Sequence, residues 1–470
     1  MGGICNSKGY SFVPLGFNIT DGDRFVAMCN EVVYYKNQFN IDGTLYTTGT
    51  GPKDYLTSFI GNHTISWLKR VALEAAASSS SSPSSSFISS PPSVPFFAYV
   101  APHAPHFPAE PAPWYKNAPL PAQHQRVPRV PSYNSSVDGK SWAIRINPAF
   151  SSFTSAGIDT HYRNRLRTLL SVDDLVDEIF LVLEEAGVLN NTYVITTSDH
   201  GYHLGNFRVP FEKAMPYDTD IRVPFYMRGP GIRPGSSQPA LVSLMDVGAT
   251  ILELAGVDAP GTRSTEGRSL VPLLFDSAGG SEQSNGAGAD AVNKAKRDVG
   301  QDGNASAGNV GMDKVLADSE SVGHERFRST KVVSHREQSS RAEAWRDMLL
   351  VEFMGFPNQW MDMCHWVYNY TACPAPASID LPYLINGPQN TYTSIRIMNR
   401  TADLTYAEYR PTNAPLAPAS TNWTEAYDLQ VDPWQLTNVA VSGSSMPPHV
   451  LQALKEQLWA VATCTGDACP

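Results

Sequence analysis

The run Tyr193-Val194-Ile195-Thr196-Thr197 is rich in β-branched residues and reads as a strand. It stops on Ser198-Asp199-His200-Gly201. A strand that ends in a carboxylate and an imidazole, with Gly next, places oxygen and nitrogen donors at the carboxyl edge of a sheet. Ligands of open α/β sheets collect there. Those donor types also suit a divalent cation. His203 and Lys213 follow within the same loop. The stretch 197–213 therefore reads as one wall of a hydrolytic site, and the rest of the chain is read for the other wall.

The chain has 470 residues, more than one ordinary core requires, and 42% of them are hydrophobic. That suggests one large α/β unit with a smaller partner. The net charge of −10 leaves no basic block to match a phosphate backbone, so nucleic acid is not the expected partner. No apolar run is long enough to span a bilayer. Met1-Gly2-Gly3-Ile4-Cys5 opens without the apolar stretch of a signal peptide. Yet eight Asn-x-Ser/Thr sequons occur, at Asn18, Asn62, Asn134, Asn190, Asn304, Asn369, Asn399 and Asn422. Their number points to secretion into an extracellular or lysosome-like compartment. Cys364/Cys373 and Cys464/Cys469 are close pairs that could close short loops there. Free buried thiols are the alternative, and no CxxC pattern supports zinc.

Along the chain, residues 1–52 are turn-rich without a clear period. A helical pattern from Asp54 to Ala77 carries Leu56, Phe59, Ile60, Leu68 and Leu73, with Gly61 as an interior weak point. Residues 78–93 are nearly all Ser and Pro and read as a flexible insertion. Phe96-Phe97-Ala98-Tyr99-Val100 reads as a buried strand. It leads into Ala101-Pro102-His103-Ala104-Pro105-His106, where two imidazoles sit in a Pro-stiffened loop. Ser171 reads as the cap of a helix carrying Leu175, Val176, Ile179, Val182 and Leu183, ended by Gly187. Strand, helix and strand at this spacing suggest parallel packing. A further strand lies within 221–231, and a helix spans 241–256. Residues 276–341 are poor in large apolar side chains and read as a disordered insertion. From 342 onward, strands at Met348–Phe353, Thr391–Ile397 and Tyr427–Leu429 and a helix at Val450–Val461 read as a small α+β domain.

Several blocks together resemble the sulfatase family, nearest its glucosamine-6-sulfatase and arylsulfatase branch. They run from Phe97 to His106, from Leu169 to Val176 and from Asn191 to Gly205. Arg222-Val223-Pro224, Arg228-Gly229-Pro230-Gly231, the helix Val242–Gly256, Leu350-Val351-Glu352, Tyr427-Asp428-Leu429 and Asp432-Pro433 follow in the family's order. The resemblance implies an alkaline-phosphatase-like α/β fold: a mixed sheet flanked by helices, with a smaller C-terminal α+β domain. Residues 1–275 would be the catalytic part and 342–470 the C-terminal part.

Carried over residue by residue, the resemblance makes Asp199 a metal ligand. His200 stands at the next ligand position, where many sulfatases have Asn. The implied metal is a divalent cation, most simply Ca2+, although an imidazole ligand also suits zinc or manganese. His106 matches the active-site His of Ala-Pro-His-x-Pro, and Lys213 matches the Lys that holds sulfate oxygens. His103 and His203 fall where substrate contacts are expected. The implied substrate is a sulfated carbohydrate or an aryl sulfate ester. The family's nucleophile is a formylglycine made from Cys or Ser in Cys/Ser-x-Pro-x-Arg, and no such pentapeptide occurs here. The Asp-Asp metal pair of the family is not found either. The chain thus looks like the C-terminal part of a sulfatase. Two other readings stay open: a non-catalytic binder of sulfated glycans, and a phosphatase or phosphodiesterase of the same superfold, suggested by His200.

Overall fold

The computed structural model describes residues 24–28, 33–79, 95–257, 267–275, 345–354, 390–441 and 445–464. Most of the Ser-rich insertion, all of 276–341 and the pair Cys364/Cys373 lie outside them. Cys464 is disulfide-bonded, and its candidate partner Cys469 lies outside too.

The chain opens with a three-stranded antiparallel sheet, β1 (Val26–Met28), β2 (Gln38–Ile41) and β3 (Thr44–Thr47). The turn-rich reading of this region hid it, because strands of three or four residues carry almost no period. Phe39 of β2 packs on Leu56 and Phe59 of helix α1 (Leu56–Ser79). A short helix α2 (Trp142–Arg145) precedes the long helix α3 (Ser152–Glu185). Helices α1 and α3 lie against each other. Gly61 sits at this seam: a Cβ there would meet Leu175 Cδ1 at 3.2 Å. The interior glycine thus lets two helices approach closely.

Helix α3 begins nineteen residues before Ser171. Its true cap is Ser151, whose hydroxyl accepts a hydrogen bond from Thr154 N at 3.1 Å. Ser171 is buried inside the helix and donates to Thr168 O at 2.6 Å. The polar run His161-Tyr162-Arg163-Asn164-Arg165 has no apolar stripe, which is why sequence periodicity missed the first half. The end at Gly187 is as expected. Gly187 adopts φ of +71°, and Val188 N donates to Leu183 O at 3.0 Å.

Strand β4 (Val194–Thr197) precedes the polar loop. After helix α4 (Asp218–Ile221), strand β5 (Phe225–Arg228) returns beside β4 antiparallel, with Thr197 opposite Phe225. Every strand pairing among the described residues is antiparallel, against the parallel expectation. Residues 96–100 are not a strand. Phe96 packs on the cluster of Leu68, Val182 and Leu183, while Phe97 is 63% and Tyr99 84% exposed. Apolar character alone does not make a strand where no described neighbour completes the hydrogen-bond ladder.

Helix α5 (Met245–Leu254) and helix α6 (Val271–Leu274) complete this half. Beyond 345, strands β6 (Met348–Phe353), β7 (Thr391–Met398), β8 (Asp403–Arg410) and β9 (Trp423–Asp428) form one antiparallel sheet in sequence order. Helix α7 (Pro448–Ala462) sets Leu454 and Leu458 against Ile395, Ile397 and Tyr406 of that sheet. Among the described strands of this region, β8 is the one that the sequence reading left out. No helix among the described residues is long and apolar enough to cross a membrane.

One buried ion pair ties the two halves. Asp246, at the start of α5, is fully buried and accepts from Ser243 N and Arg268 N, each at 2.7 Å. Arg346, two residues before β6, grips its carboxylate with both terminal nitrogens at 2.8 and 3.0 Å. Removing one partner of such a pair leaves a buried charge without compensation. Arg346→Ala should therefore lower stability by about 3–5 kcal/mol, measured by urea unfolding. A loss no larger than that of an exposed Arg would show that the pair contributes little.

Candidate active site

The loop after β4 is held in a specific shape. Ser198 Oγ donates to His200 O at 3.0 Å, and His200 N donates to Asp199 Oδ1 at 2.9 Å. Gly201 N donates to Asp220 O at 2.7 Å, and a Cβ on Gly201 would stand 2.1 Å from Thr219 O. Only glycine permits this approach of α4 to the loop. The result leaves the Asp199 side chain 80% exposed at the end of β4.

His200 Nδ1 lies 2.7 Å from Gly201 O. A carbonyl only accepts, so Nδ1 carries the proton and the neutral ring has its lone pair on Nε2. That nitrogen faces Asp199 Oδ2 at 3.3 Å. Two acceptors face each other there, and a proton or a cation between them removes the repulsion. A backbone carbonyl fixing the remote nitrogen is also how metal-bound histidines are oriented. The pair therefore fits two positions of a divalent-cation site. Among the described residues no cluster of three His, Cys, Asp or Glu side chains completes it.

His106 comes from the loop following residues 96–100, in which the Ala104–Pro105 and Phe107–Pro108 bonds are cis. Its Nδ1 donates to Phe107 O at 2.8 Å, so Nε2 is again the free acceptor. Tyr34 OH donates to His106 O at 2.9 Å. Burial is the main cause that lowers the His106 pKa. The charges of Lys213 and His200 lower it further, while the Phe107 carbonyl and Glu212 oppose them. The structure thus brings His106, His200 and Lys213 within electrostatic reach of one another. His103 stacks on His106 with ring centroids 4.7 Å apart, and on Tyr34 at 5.0 Å. Its Nε2 is buried without a hydrogen-bond partner. Burial, then His106, push its pKa down to about 3.

Lys213 Nζ pairs with the buried Glu212 Oε2 at 3.1 Å. The backbone on both sides of Lys213 is unusual: Glu212 has φ of +136° and Ala214 of +80°. Phe207 and Arg208 also adopt positive φ. Non-glycine residues in this region cost about 1–3 kcal/mol each and persist where the surroundings fix them, commonly at functional sites. Two anchors do so here. Asp220 accepts from His203 Nδ1 at 2.9 Å and from Met215 N at 2.9 Å, closing the loop at both ends. Asn390 Nδ2 donates to Ala214 O at 2.7 Å. His203 is accordingly buried behind the loop, whereas His103, His106, His200 and Lys213 share its front.

The sequence reading missed a second rank of groups. Arg165 Nη1 donates to Pro105 O at 2.9 Å, and its guanidinium carbon lies 3.9 Å from the centre of the Tyr202 ring. Among the described residues it forms no ion pair. His161, one turn earlier on α3, is 3.2 Å from Tyr202 OH through Nε2. Burial first, then Arg165 and His106, hold its pKa at about 3. His161 and Arg165 are four residues apart on a helix, a spacing that would have flagged them had the helix start been placed correctly.

Residues 53–257 match the family model described as Sulfatase. Over 99% of its length the chain is 29% identical to N-acetylglucosamine-6-sulfatase of Homo sapiens and covers 66% of it. It is 30% identical to an extracellular sulfatase SULF-1 homolog of Drosophila melanogaster, over 58% of this chain and 22% of that one. The solved structure of BT4656 with its substrate D-glucosamine-2-N,6-O-disulfate superposes over 93% of this chain and 75% of that chain. The TM-score is 0.55 at 17% identity, a likeness of fold. The chain spans just under two thirds of the length of the N-acetylglucosamine-6-sulfatases it matches. The chain thus has a mixed α/β fold of the alkaline-phosphatase type, matches the Sulfatase model over the stretch that holds the polar loop and its histidines, and is similar to N-acetylglucosamine-6-sulfatase along nearly its whole length.

Proposed function

We propose that the protein is a sulfuric ester hydrolase acting on sulfated sugars, with the Asp199–Lys213 loop and His106 as one wall of its sulfate pocket. The supporting observation is the meeting of Lys213, His106 and the Asp199–His200 pair at the end of β4. The similar human protein is named for N-acetylglucosamine 6-sulfate chemistry, so a 6-sulfated glucosamine is the first substrate to test. Cys464 in a disulfide fits a secreted or lysosome-like location.

Each side chain has a role that its chemistry permits. Lys213 keeps donors beyond the one directed at Glu212 and presents them to sulfate oxygens. Arg165 adds an unpaired positive charge behind the histidines, which favours an anion in front of them. His106 is neutral with Nε2 open. An arriving sulfate raises its affinity for a proton, and it can then protonate the leaving sugar oxygen. His103, stacked on His106, holds that ring in place and borders the sugar. His203 fixes the loop through Asp220. Asp199 and His200 would hold a divalent cation, with Ca2+ the simplest choice for the carboxylate, and a bound cation would offset sulfate charge as a Lewis acid. None of these residues is a nucleophile, so the proposal gives them binding and proton-transfer roles only. Formylglycine remains the expectation for that missing role.

The test is calorimetric binding of glucosamine 6-sulfate together with an assay of sulfate release. Lys213→Ala should weaken binding about tenfold or more, the cost of a lost charge-assisted hydrogen bond. Unchanged affinity would overturn the pocket assignment. Binding that depends on Lys213 without any sulfate release would favour the glycan-binding reading over the hydrolase.

The neutral histidines have a separate consequence for stability. The His161 pKa is about 3 in the fold against 6.5 for the free group. Between these values the unfolded chain binds a proton that the folded chain does not. Stability is then complete above about pH 6.5 and declines as pH falls toward about 3. Urea unfolding at a series of pH values should show His161→Gln with a shallower decline, by about one proton taken up on unfolding. Equal slopes for the two proteins would show that His161 titrates normally.

A further inference from the structure

Between α2 and the start of β9 lies an open cavity of about 100 Å³ lined by Ser141, Trp142, Arg145, Tyr409, Asn422 and Trp423. It takes no part in the site described above. Its walls have the character of a sugar seat. Trp142 is 44% exposed, and Trp423 carries the Arg145 guanidinium at 4.5 Å from its ring centre. Indole faces offer apolar area against which the C–H face of a pyranose can pack. Ser141 Oγ and Tyr409 OH are buried in its wall and face one another.

The sugar is already specified by the sequence. Asn422-Trp423-Thr424 is a sequon, and its asparagine is itself part of the cavity wall. Two other sequon asparagines, Asn134 and Asn399, have their amides engaged, whereas Asn62 and Asn190 are exposed like Asn422. Asn134 Oδ1 accepts from Phe150 N, and Asn399 Oδ1 accepts from Thr401 N and Ala402 N. Asn422 is exposed. Its backbone N donates to Tyr409 O at 2.9 Å, which fixes the residue at the cavity rim, and its side chain makes no hydrogen bond to the described residues. The disulfide at Cys464 fits passage through the oxidising compartment where sequons are modified.

We infer that Asn422 is N-glycosylated and that the first sugar of its glycan packs into this cavity, against Trp142 and Trp423. The glycan then acts as a cover over the joint between α2 and the C-terminal sheet. This inference does not rest on the sulfatase chemistry.

The experiment uses the full chain secreted from cultured eukaryotic cells. Mass spectrometry of the peptide containing Asn422 should show an attached N-acetylhexosamine. On the native protein, peptide-N-glycosidase should release the Asn422 glycan about tenfold more slowly than the one at exposed Asn190, because release requires the sugar to leave its seat first. Trp142→Ala, a change at a half-exposed position, should abolish that protection, and Trp423→Phe should reduce it. A peptide unmodified at Asn422, in protein that carries sugar at Asn190, would overturn the inference. Equal release rates at the two sites in the unsubstituted protein would overturn the seat.

Discussion

Lys140 is fully buried, and the two halves of the molecule meet on it. Its ammonium donates to Tyr427 OH at 2.8 Å and to Gln435 O. The rings of Phe207, Tyr427 and Tyr217 surround it with centroids at 3.8, 4.2 and 4.3 Å. Burial pushes its pKa down to about 7, against the pull of Glu425 and Asp432. A charge in such a place is tolerated only because everything around it is polarised toward it. Glu425 completes the arrangement by accepting from Tyr217 OH at 2.7 Å, from Tyr427 OH at 2.8 Å and from Ser141 N. Three segments far apart in sequence, around 140, 217 and 427, must therefore be present together for any one of them to be satisfied.

This requirement reaches the candidate site. Phe207, Val209, Phe211, Met215 and Tyr217 form one core cluster with Tyr427 and Leu429. The loop carrying Glu212 and Lys213 is the polar side of that same segment. Arg396 of β7 bonds Asp218 at 3.0 Å and pairs also with Asp403, while Asp218 N donates to Gln435 Oε1 at 2.9 Å. Asp220, two residues on, holds His203 and Met215 N. Lys213 is thus positioned by the C-terminal sheet although its own sequence neighbours come from β4. The positive φ values flanking it lie in a segment tied by Asn390, Asp220 and Gln435.

The differences between sequence and structure follow from the same cause. Local rules located β4, β6, β7, α5 and α7, where propensity and burial agree within a short window. They also placed Asp199, His200, His106 and Lys213 in loops at the ends of apolar runs, and the structure brings those loops together. They missed the first half of α3, where His161 and Arg165 turn to Tyr202 and the Pro105 carbonyl and Asp159 to Arg129 rather than to an apolar core. Arg165 and His161 were lost with it. They misread 96–100, since a strand is a relation between two segments and an apolar run states only one side of it. Lys140 and Glu425 could not be found either. Isolated charged residues look like surface in a sequence, and only the fold reveals the hydroxyls, indoles and rings that make burial affordable.

The arrangement also explains why so many histidines can sit together without repelling one another. Burial keeps His103, His106 and His161 neutral, and each points one nitrogen at a defined partner or neighbour. The permanent positive charge is carried by Lys213 and Arg165, and Glu212 answers only one of them directly. The site thus keeps its fixed positive charge apart from its neutral imidazoles. Had the imidazoles been solvated, they would titrate near the working pH, and the field would change with every proton. Separating fixed charge from exchangeable proton in this way requires that the histidines be shielded and the cations be held rigidly. The packing around Lys140 supplies the second condition, and the Tyr34, Tyr202 and Phe107 side chains supply the first.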